Sequence, residues 1–292
     1  WLSHCGLWTV DRGPSTFPTF IRMSKEKKSG VRGKKSLGQH FLHEQHTAAK
    51  IVNSLQKTAG ETLRLLEIGP GMGVLTKMLA QDKDLALKVI EIDRDSVAYL
   101  KEHKILHADH IIEGDFLALD LSNVFEGRFS IIGNFPYNIS SQIFFRVLDL
   151  RDRVEQVVCM LQKEVAERIA SPHGSKVYGI LSVLLQAYYN IQLLFKVSPG
   201  VFTPPPKVTS AVIRLVRNER EHLNCDESLF VKVVKQGFNN RRKTLRNALK
   251  NLNLAEAVSS LPVMDKRAEQ LSVDDFIELT RLIGESRAGT PT

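Results

Sequence analysis

From Arg64 the chain alternates short β-branched or apolar runs with stretches of helical periodicity, the pattern of a doubly wound, mainly parallel sheet. RLLEIG (64–69), KVIEID (88–93), HIIEGD (110–115) and FSIIGN (129–134) read as four successive strands. A fifth, VEQVVCML from Val154, follows a helix beginning near Ser140, and VTSAVIRLV (208–216) alternates as an antiparallel edge strand should. Between these two lies the most apolar stretch, Tyr178 to Phe195. Ser182, Gln186, Asn190 and Gln192 interrupt it, so it reads as a buried helix and not as a membrane span. In the loop FTPPPK (202–207), three consecutive prolines force extended backbone and exclude both helix and inner strand. After about residue 217 helical periodicity takes over, in FVKVVKQGF, KTLRNALKNL and SVDDFIELTRLIG. The expected fold is α/β: a Rossmann-like, mostly parallel seven-stranded sheet with an antiparallel edge strand over 34–217, then a small all-helical domain over 218–292.

Composition adds a partner class. The 292 residues suffice for two cores, and 40 Lys and Arg against 32 Asp and Glu give a net charge of +8, which suits a polyanion. Residues 1–33 are expected to be a leader and a basic flexible arm. The first 22 lack periodicity and a methionine and carry both tryptophans, so Met23 reads as the natural start. Lys25 to Lys35 holds six basic side chains and one acid, a composition unable to bury a core. Cys5, Cys159 and Cys225 fall in no metal-binding spacing, so no metal is expected and a reducing, cytoplasmic setting is.

The first chemical signal is EIGPGMG (67–73), where the first strand ends and a helix from Val74 to Ala80 begins. Glycines allow a sharp turn and a close approach of ligand to backbone. Their alternate spacing at 69, 71 and 73 departs from the GxGxxG of dinucleotide sites. An acid about 20 residues further on can accept both ribose hydroxyls of an adenosine, and alternation leaves Glu91 and Asp93 equally eligible. Gly114-Asp115-Phe116 closes the third strand with a carboxylate for an adenine amino group beside an apolar ring.

The decisive tetrapeptide closes the fourth strand: Asn134-Phe135-Pro136-Tyr137. An exocyclic amine on a base is a poor nucleophile because its lone pair is delocalised into the ring, and a methyl carried on a cationic sulfonium is a strong electrophile for it. An Asn oxygen and a backbone carbonyl near the proline can accept the amine's hydrogens and orient the nitrogen, while Tyr137 offers a ring to an extruded base. No strong general base is required, because the proton becomes acidic only after the methyl has moved.

KKSLGQHFL (34–42), EIGPGMGVLT (67–76), NFPYNIS (134–140), FTPPPKVTSAV (202–212) and RRKTLRNAL (241–249) occur in this order, and with them the chain resembles the ribosomal RNA adenine N6,N6-dimethyltransferases from about Lys34 to Ile283. The bacterial kasugamycin-resistance type is the member it resembles most. The resemblance implies a class I methyltransferase fold and S-adenosylmethionine as methyl donor, held by His40, Leu42, Gly69, Gly71, Glu91, Asp115, Phe116 and Asn134. It selects Glu91 over Asp93. At His40 the family usually carries Asn, and a ring nitrogen can still hydrogen-bond there. Asn134, Pro136, Tyr137 and Phe202 are implied as the catalytic set, with Phe202 stacking on the target adenine opposite Tyr137. The implied substrate is a pair of adjacent adenosines in the 3′-terminal hairpin of 16S ribosomal RNA, within the small subunit or its precursor.

RNA contact is expected at Lys34, Lys35, Arg241, Arg242, Lys243 and Arg246, since Lys232 to Lys250 carries seven basic residues and no acid. The protein is expected to act as a cytoplasmic monomer without a membrane partner. Three other readings share parts of this pattern: erythromycin-resistance methyltransferases of large-subunit RNA, a non-catalytic nucleic-acid binder like the related mitochondrial transcription factors, and an assembly checkpoint.

Overall fold

The computed structural model describes residues 31, 33, 34 and 37–288. The leader, Met23, Cys5 and Lys35 lie outside the described residues. The chain opens with β1 (Phe41–Leu42) and α1 (Gln45–Val52), then β2 (Leu63–Ile68), α2 (Val74–Leu79), β3 (Leu85–Glu91), α3 (Arg94–Glu102) and β4 (Ile111–Glu113). There follow β5 (Phe129–Asn134), α4 (Ser140–Asp149), β6 (Val154–Gln162), α5 (Lys163–Ile169), α6 (Ile180–Gln186), β7 (Tyr189–Val197), β8 (Phe202–Thr203) and β9 (Ser210–Arg217). Only helices come after: α7 (Glu227–Asn239), α8 (Leu245–Ala248), α9 (Glu256–Ser259) and α10 (Val273–Ala288).

Seven strands form one sheet in the order β4-β3-β2-β5-β6-β9-β7, and β1 pairs with β8 in a separate two-stranded ribbon. The five strands from β4 to β6 run parallel, and β9 and β7 are antiparallel to their neighbours. Both faces are covered, which is why the inner strands read as continuous apolar runs. Leu65, Ile132, Val158 and Val212 pack with residues of α1, α2 and α3. Their chain neighbours Leu66, Ile131, Val157 and Ile213 point to the opposite face, with α4, α5 and α6.

Two expectations need correction. Tyr178 to Phe195 is not one helix: α6 ends at Gln186, and Tyr189 begins the seventh strand, β7. Asn190 and Gln192 mark strand alternation, and an irregularity in the pairing between Leu193 and Phe195 breaks that alternation, so the short apolar run imitates a helix. The second correction follows from the first. With β7 outside it, β9 lies between β6 and β7 and is an inner strand, while β7 takes the edge.

The change from mixed to purely helical structure falls after Arg217, but the core runs across it. Leu223, Phe230, Val234, Phe276 and Leu279 belong to the same buried cluster as Phe129, Phe144 and Leu184. KTLRNALKNL forms only a short α8 and a 3-10 turn at Lys250–Leu252. Among the described residues no helix is long and apolar enough to cross a membrane.

Candidate active site

The parallel strands end along one edge of the sheet, where open α/β sheets bind ligands. Gly133 lets β5 approach β2 closely there, since a Cβ at this position would lie 2.5 Å from the carbonyl oxygen of Ile68. Beyond β2 the glycines at 69, 71 and 73 all adopt positive φ. At Gly71 a side chain would also drive into the Phe41 ring, 2.8 Å from a Cβ. These contacts bring the ends of β2, β3, β4 and β5 around one cavity of roughly 930 Å³, partly open to solvent, and the segment Leu37–Phe41 forms its remaining wall.

His40, Gly69, Gly71, Glu91, Asp115, Phe116, Asn134, Pro136 and Tyr137 all line this cavity. Glu91 is 4% exposed and anchored by two backbone donors, Gly71 N–H to Oε2 at 3.1 Å and Asp93 N–H to Oε1 at 2.9 Å. Burial pushes its carboxyl above the ordinary value and these backbone bonds offset part of the rise. Asp93 has a different task. It caps α3, and its carboxylate accepts from Lys34 Nζ, Gln39 Nε2 and Ser96 Oγ. Burial raises its carboxyl, but those bonds outweigh burial and hold it below its usual value. The choice that strand alternation leaves open is thus made by geometry: Glu91 faces the cavity, and Asp93 belongs to the helix cap.

Asn134 ends β5. Its Nδ2 donates to the backbone carbonyl of His40 at 2.8 Å, so Oδ1 is the end of the amide available to a ligand. His40 makes a second contact, from Nδ1 to the carbonyl oxygen of Pro204 at 2.8 Å, and its ring lies 5.3 Å from that of Tyr137. The Tyr137 hydroxyl bonds Ser210 Oγ at 2.5 Å, which fixes the ring; burial raises its pKa. Asp115 accepts the Leu117 N–H at 2.9 Å, which orients its carboxylate beside Phe116.

Two members of the expected set stand elsewhere. Leu42 is buried and lines a smaller adjoining recess with Gly69 and Asn134. Phe202 is 2% exposed; β8 pairs it with Leu42, and its ring joins the apolar cluster with Val197 and Val212 and does not line the cavity. Of the basic residues, Lys34 is held by Asp93 and Asp95, Arg241 donates to the carbonyls of Lys176 and Tyr178, and Arg246 pairs with Asp265 at 2.8 Å. The side chains of Arg242 and Lys243 are exposed and make no ion pair or hydrogen bond among the described residues.

The structure adds residues that the pattern did not reveal. Ile92, between the two acids, is an apolar side chain 51% exposed at the cavity wall. Its position one residue past a strand-end acid was a usable signal. Glu67 is buried beneath the glycine turn, accepts from Thr76 Oγ1 at 2.7 Å, and is pushed up to about 8, mainly by burial.

The profile of the family described as ribosomal RNA adenine dimethylase matches residues 30–285. The chain belongs to that family. The expected adenine N6,N6-dimethyltransferase of ribosomal RNA is thereby met, and the protein is a methyltransferase. It is 56% identical over 253 residues to the ribosomal RNA small subunit methyltransferase A of Cytophaga hutchinsonii, covering 87% of this chain and 98% of the relative. The protein of the same description from Porphyromonas gingivalis is 54% identical over 257 residues, with 87% and 98% covered. Among solved structures, the chain resembles a dimethyladenosine transferase from Plasmodium falciparum, with a TM-score of 0.68, 24% identity and coverage of 82% and 96%. It also resembles the 23S ribosomal RNA methyltransferase ErmE, with a TM-score of 0.59, 25% identity and coverage of 82% and 99%. Both share the Rossmann-like architecture.

Proposed function

We propose that this family member uses S-adenosylmethionine to dimethylate N6 of two adjacent adenosines in the 3′-terminal hairpin of 16S ribosomal RNA, within the small subunit or its precursor. The observation that carries the reading is the Asn134 amide: with Nδ2 engaged by His40, its oxygen stands ready to accept from an exocyclic amine. The 56% and 54% identical relatives, both described as small-subunit methyltransferases, support the choice of RNA.

The cavity suits the donor on its own terms. A Cβ built on Gly69 meets nothing within 4 Å, which leaves backbone open beside the turn, and an acid, a second acid and apolar walls surround that space. Glu91 would hold the ribose hydroxyls, Asp115 the adenine amino group, and Ile92 and Phe116 the ring faces. His40, Leu42, Gly69 and Gly71 would shape the rest. When bound, the donor supplies a methyl on a cationic sulfonium, electrophile enough for a delocalised amine.

Asn134 orients the acceptor nitrogen and favours its pyramidal form, and Tyr137, braced by Ser210, provides a ring against which the extruded base stacks. Pro136, lacking an N–H, leaves the carbonyl side of the turn for the amine's other hydrogen. Phe202 would act from beneath this surface, or reach the base only after β8 shifts. Arg242 and Lys243, with Lys35 and the helical region 218–292, would bind RNA phosphates, and shape would dominate over base readout. The same reading puts the protein in the cytoplasm as a monomer, where thiols such as Cys159 and Cys225 stay reduced.

Incubation with labelled S-adenosylmethionine and small subunits from a strain lacking the modification, followed by mapping of methylated nucleotides, tests the proposal. Label confined to two adjacent adenosines near the 3′ end supports it. Label in large-subunit RNA, DNA or protein overturns it.

A further inference from the structure

Lys34 carries a charge that a basic arm would offer to RNA, yet its ammonium is already bound. Nζ lies 2.5 Å from Asp93 Oδ1 and 2.7 Å from Asp95 Oδ2. The same residue organises the chain that follows: its backbone N–H donates to Gln39 Oε1 at 2.9 Å, and its carbonyl accepts from Leu37 N–H at 3.1 Å. Gln39 Nε2 returns to Asp93 Oδ2 at 3.2 Å. Lys34 and Gln39 thus converge on one carboxylate.

That carboxylate sits at a sensitive place. Asp93 is 2% exposed, and its backbone N–H donates to Oε1 of Glu91. The turn it fastens, Leu37 to Phe41, is one wall of the cavity and delivers the His40 carbonyl that orients Asn134. We infer that Lys34 is a positioning residue for the donor site: through Asp93 it holds the Leu37–Phe41 wall closed and keeps Glu91 and Asn134 in register on opposite sides of the cavity. The inference rests on the reading that this cavity takes S-adenosylmethionine.

The chemistry favours this role over phosphate contact. An ammonium shared by a buried carboxylate and an exposed one is costly to detach, because Asp93 would keep its charge with only Gln39 and Ser96 as side-chain donors. The hydrogen bond to Asp93, joined by that to Asp95, raises the Lys34 pKa, so the link persists through the neutral range. Methionine at this position keeps the stem and removes the charge; arginine keeps the charge.

Two titrations without and with RNA separate the roles. Calorimetric binding of S-adenosylhomocysteine to RNA-free protein is expected to weaken by about tenfold in Lys34→Met and to stay within about threefold of wild type in Lys34→Arg. Lys34→Met added to Asp93→Asn should weaken binding little further, since both act through one contact. Filter binding of small-subunit RNA over a salt series should give the wild-type affinity and slope for Lys34→Met, and methylation should show a raised KM for the donor with kcat lowered far less than in Asn134→Ala. Matching melting temperatures exclude a folding defect; if Lys34→Met melts lower, the Lys34→Arg titration and the double variant decide. Wild-type affinity for S-adenosylhomocysteine in Lys34→Met overturns the assignment, and a lowered RNA affinity with a salt slope shallower by about 0.7 to 0.9 makes Lys34 a phosphate contact instead. Wild-type protein that binds no S-adenosylhomocysteine overturns the donor reading itself, and the assignment with it.

Discussion

The Asn134 side-chain amide and the His40 backbone carbonyl, 2.8 Å apart, join the end of β5 to the wall that crosses the cavity. The bond uses the donor half of the amide and leaves the acceptor half for substrate. Asn134→Ala removes both halves, and turnover should fall by roughly 10²- to 10³-fold, the range seen when one preorganised polar group is lost from a reacting centre. RNA affinity, measured by filter binding, should stay near wild type. Methylation that survives at wild-type rate would leave the tetrapeptide without its assigned role.

Phe202 tests a disagreement between resemblance and packing. Its ring is buried against Val197 and Val212, so Phe202→Ala should lower stability by about 3–5 kcal/mol, as truncation of a core aromatic does. Chemical denaturation followed by circular dichroism measures this. A variant as stable as wild type but unable to methylate would show that the ring leaves the core to meet the base.

Arg242 and Lys243 stand free, whereas Arg241 and Arg246 are engaged within the chain. Replacing the free pair by Ala should weaken RNA binding and reduce the salt slope by about 1.4 to 1.8, one phosphate contact each. Arg246→Ala should change the slope little and cost stability at most about 1 kcal/mol, since its ion pair is largely exposed. Equal salt slopes for the double variant and wild type would remove these two residues from the RNA surface.

Glu67 makes stability depend on pH in a definite direction. Burial lifts its carboxyl from 4.5 to about 8, so the unfolded chain releases this proton at a lower pH than the native protein does. Its contribution is therefore full below about pH 4.5 and is lost as pH rises toward 8. Glu67→Gln keeps the acceptor for Thr76 and removes the titration. Melting temperatures of wild type and variant, compared from pH 5 to 8.5, should show the wild type losing ground as pH rises; parallel curves would mean that Glu67 ionises at an ordinary pH.

Strands β2 to β6 were legible because each is apolar and β2 to β5 are closed by chemistry-bearing residues, and their common edge follows from parallel topology alone. Elements whose form depends on distant partners were not. A pairing irregularity near Leu193 hid β7, and nothing local announces that Phe41 and Leu42 pair with Thr203 and Phe202. The site divides the same way. Acids at strand ends were readable, but the separate tasks of Glu91 and Asp93 emerge only when Lys34 and Gln39 are seen to claim the second. The basic run between Arg241 and Lys250 reads as uniform charge, while its members differ in whether a carbonyl or carboxylate lies within reach.

The β1–β8 ribbon imposes an order on assembly. His40, in the cavity wall, is bonded to Pro204, 164 residues further along the chain. A growing polypeptide that has made β2 to β5 possesses the strand-end acids and Asn134, but the ribbon that pins the cavity wall awaits residues 202 to 204. Closing so long a loop is entropically slow, so the donor pocket gains its full form among the last events of synthesis and folding of the sheet. Truncated or half-made chains would carry the chemistry without the enclosure that directs it.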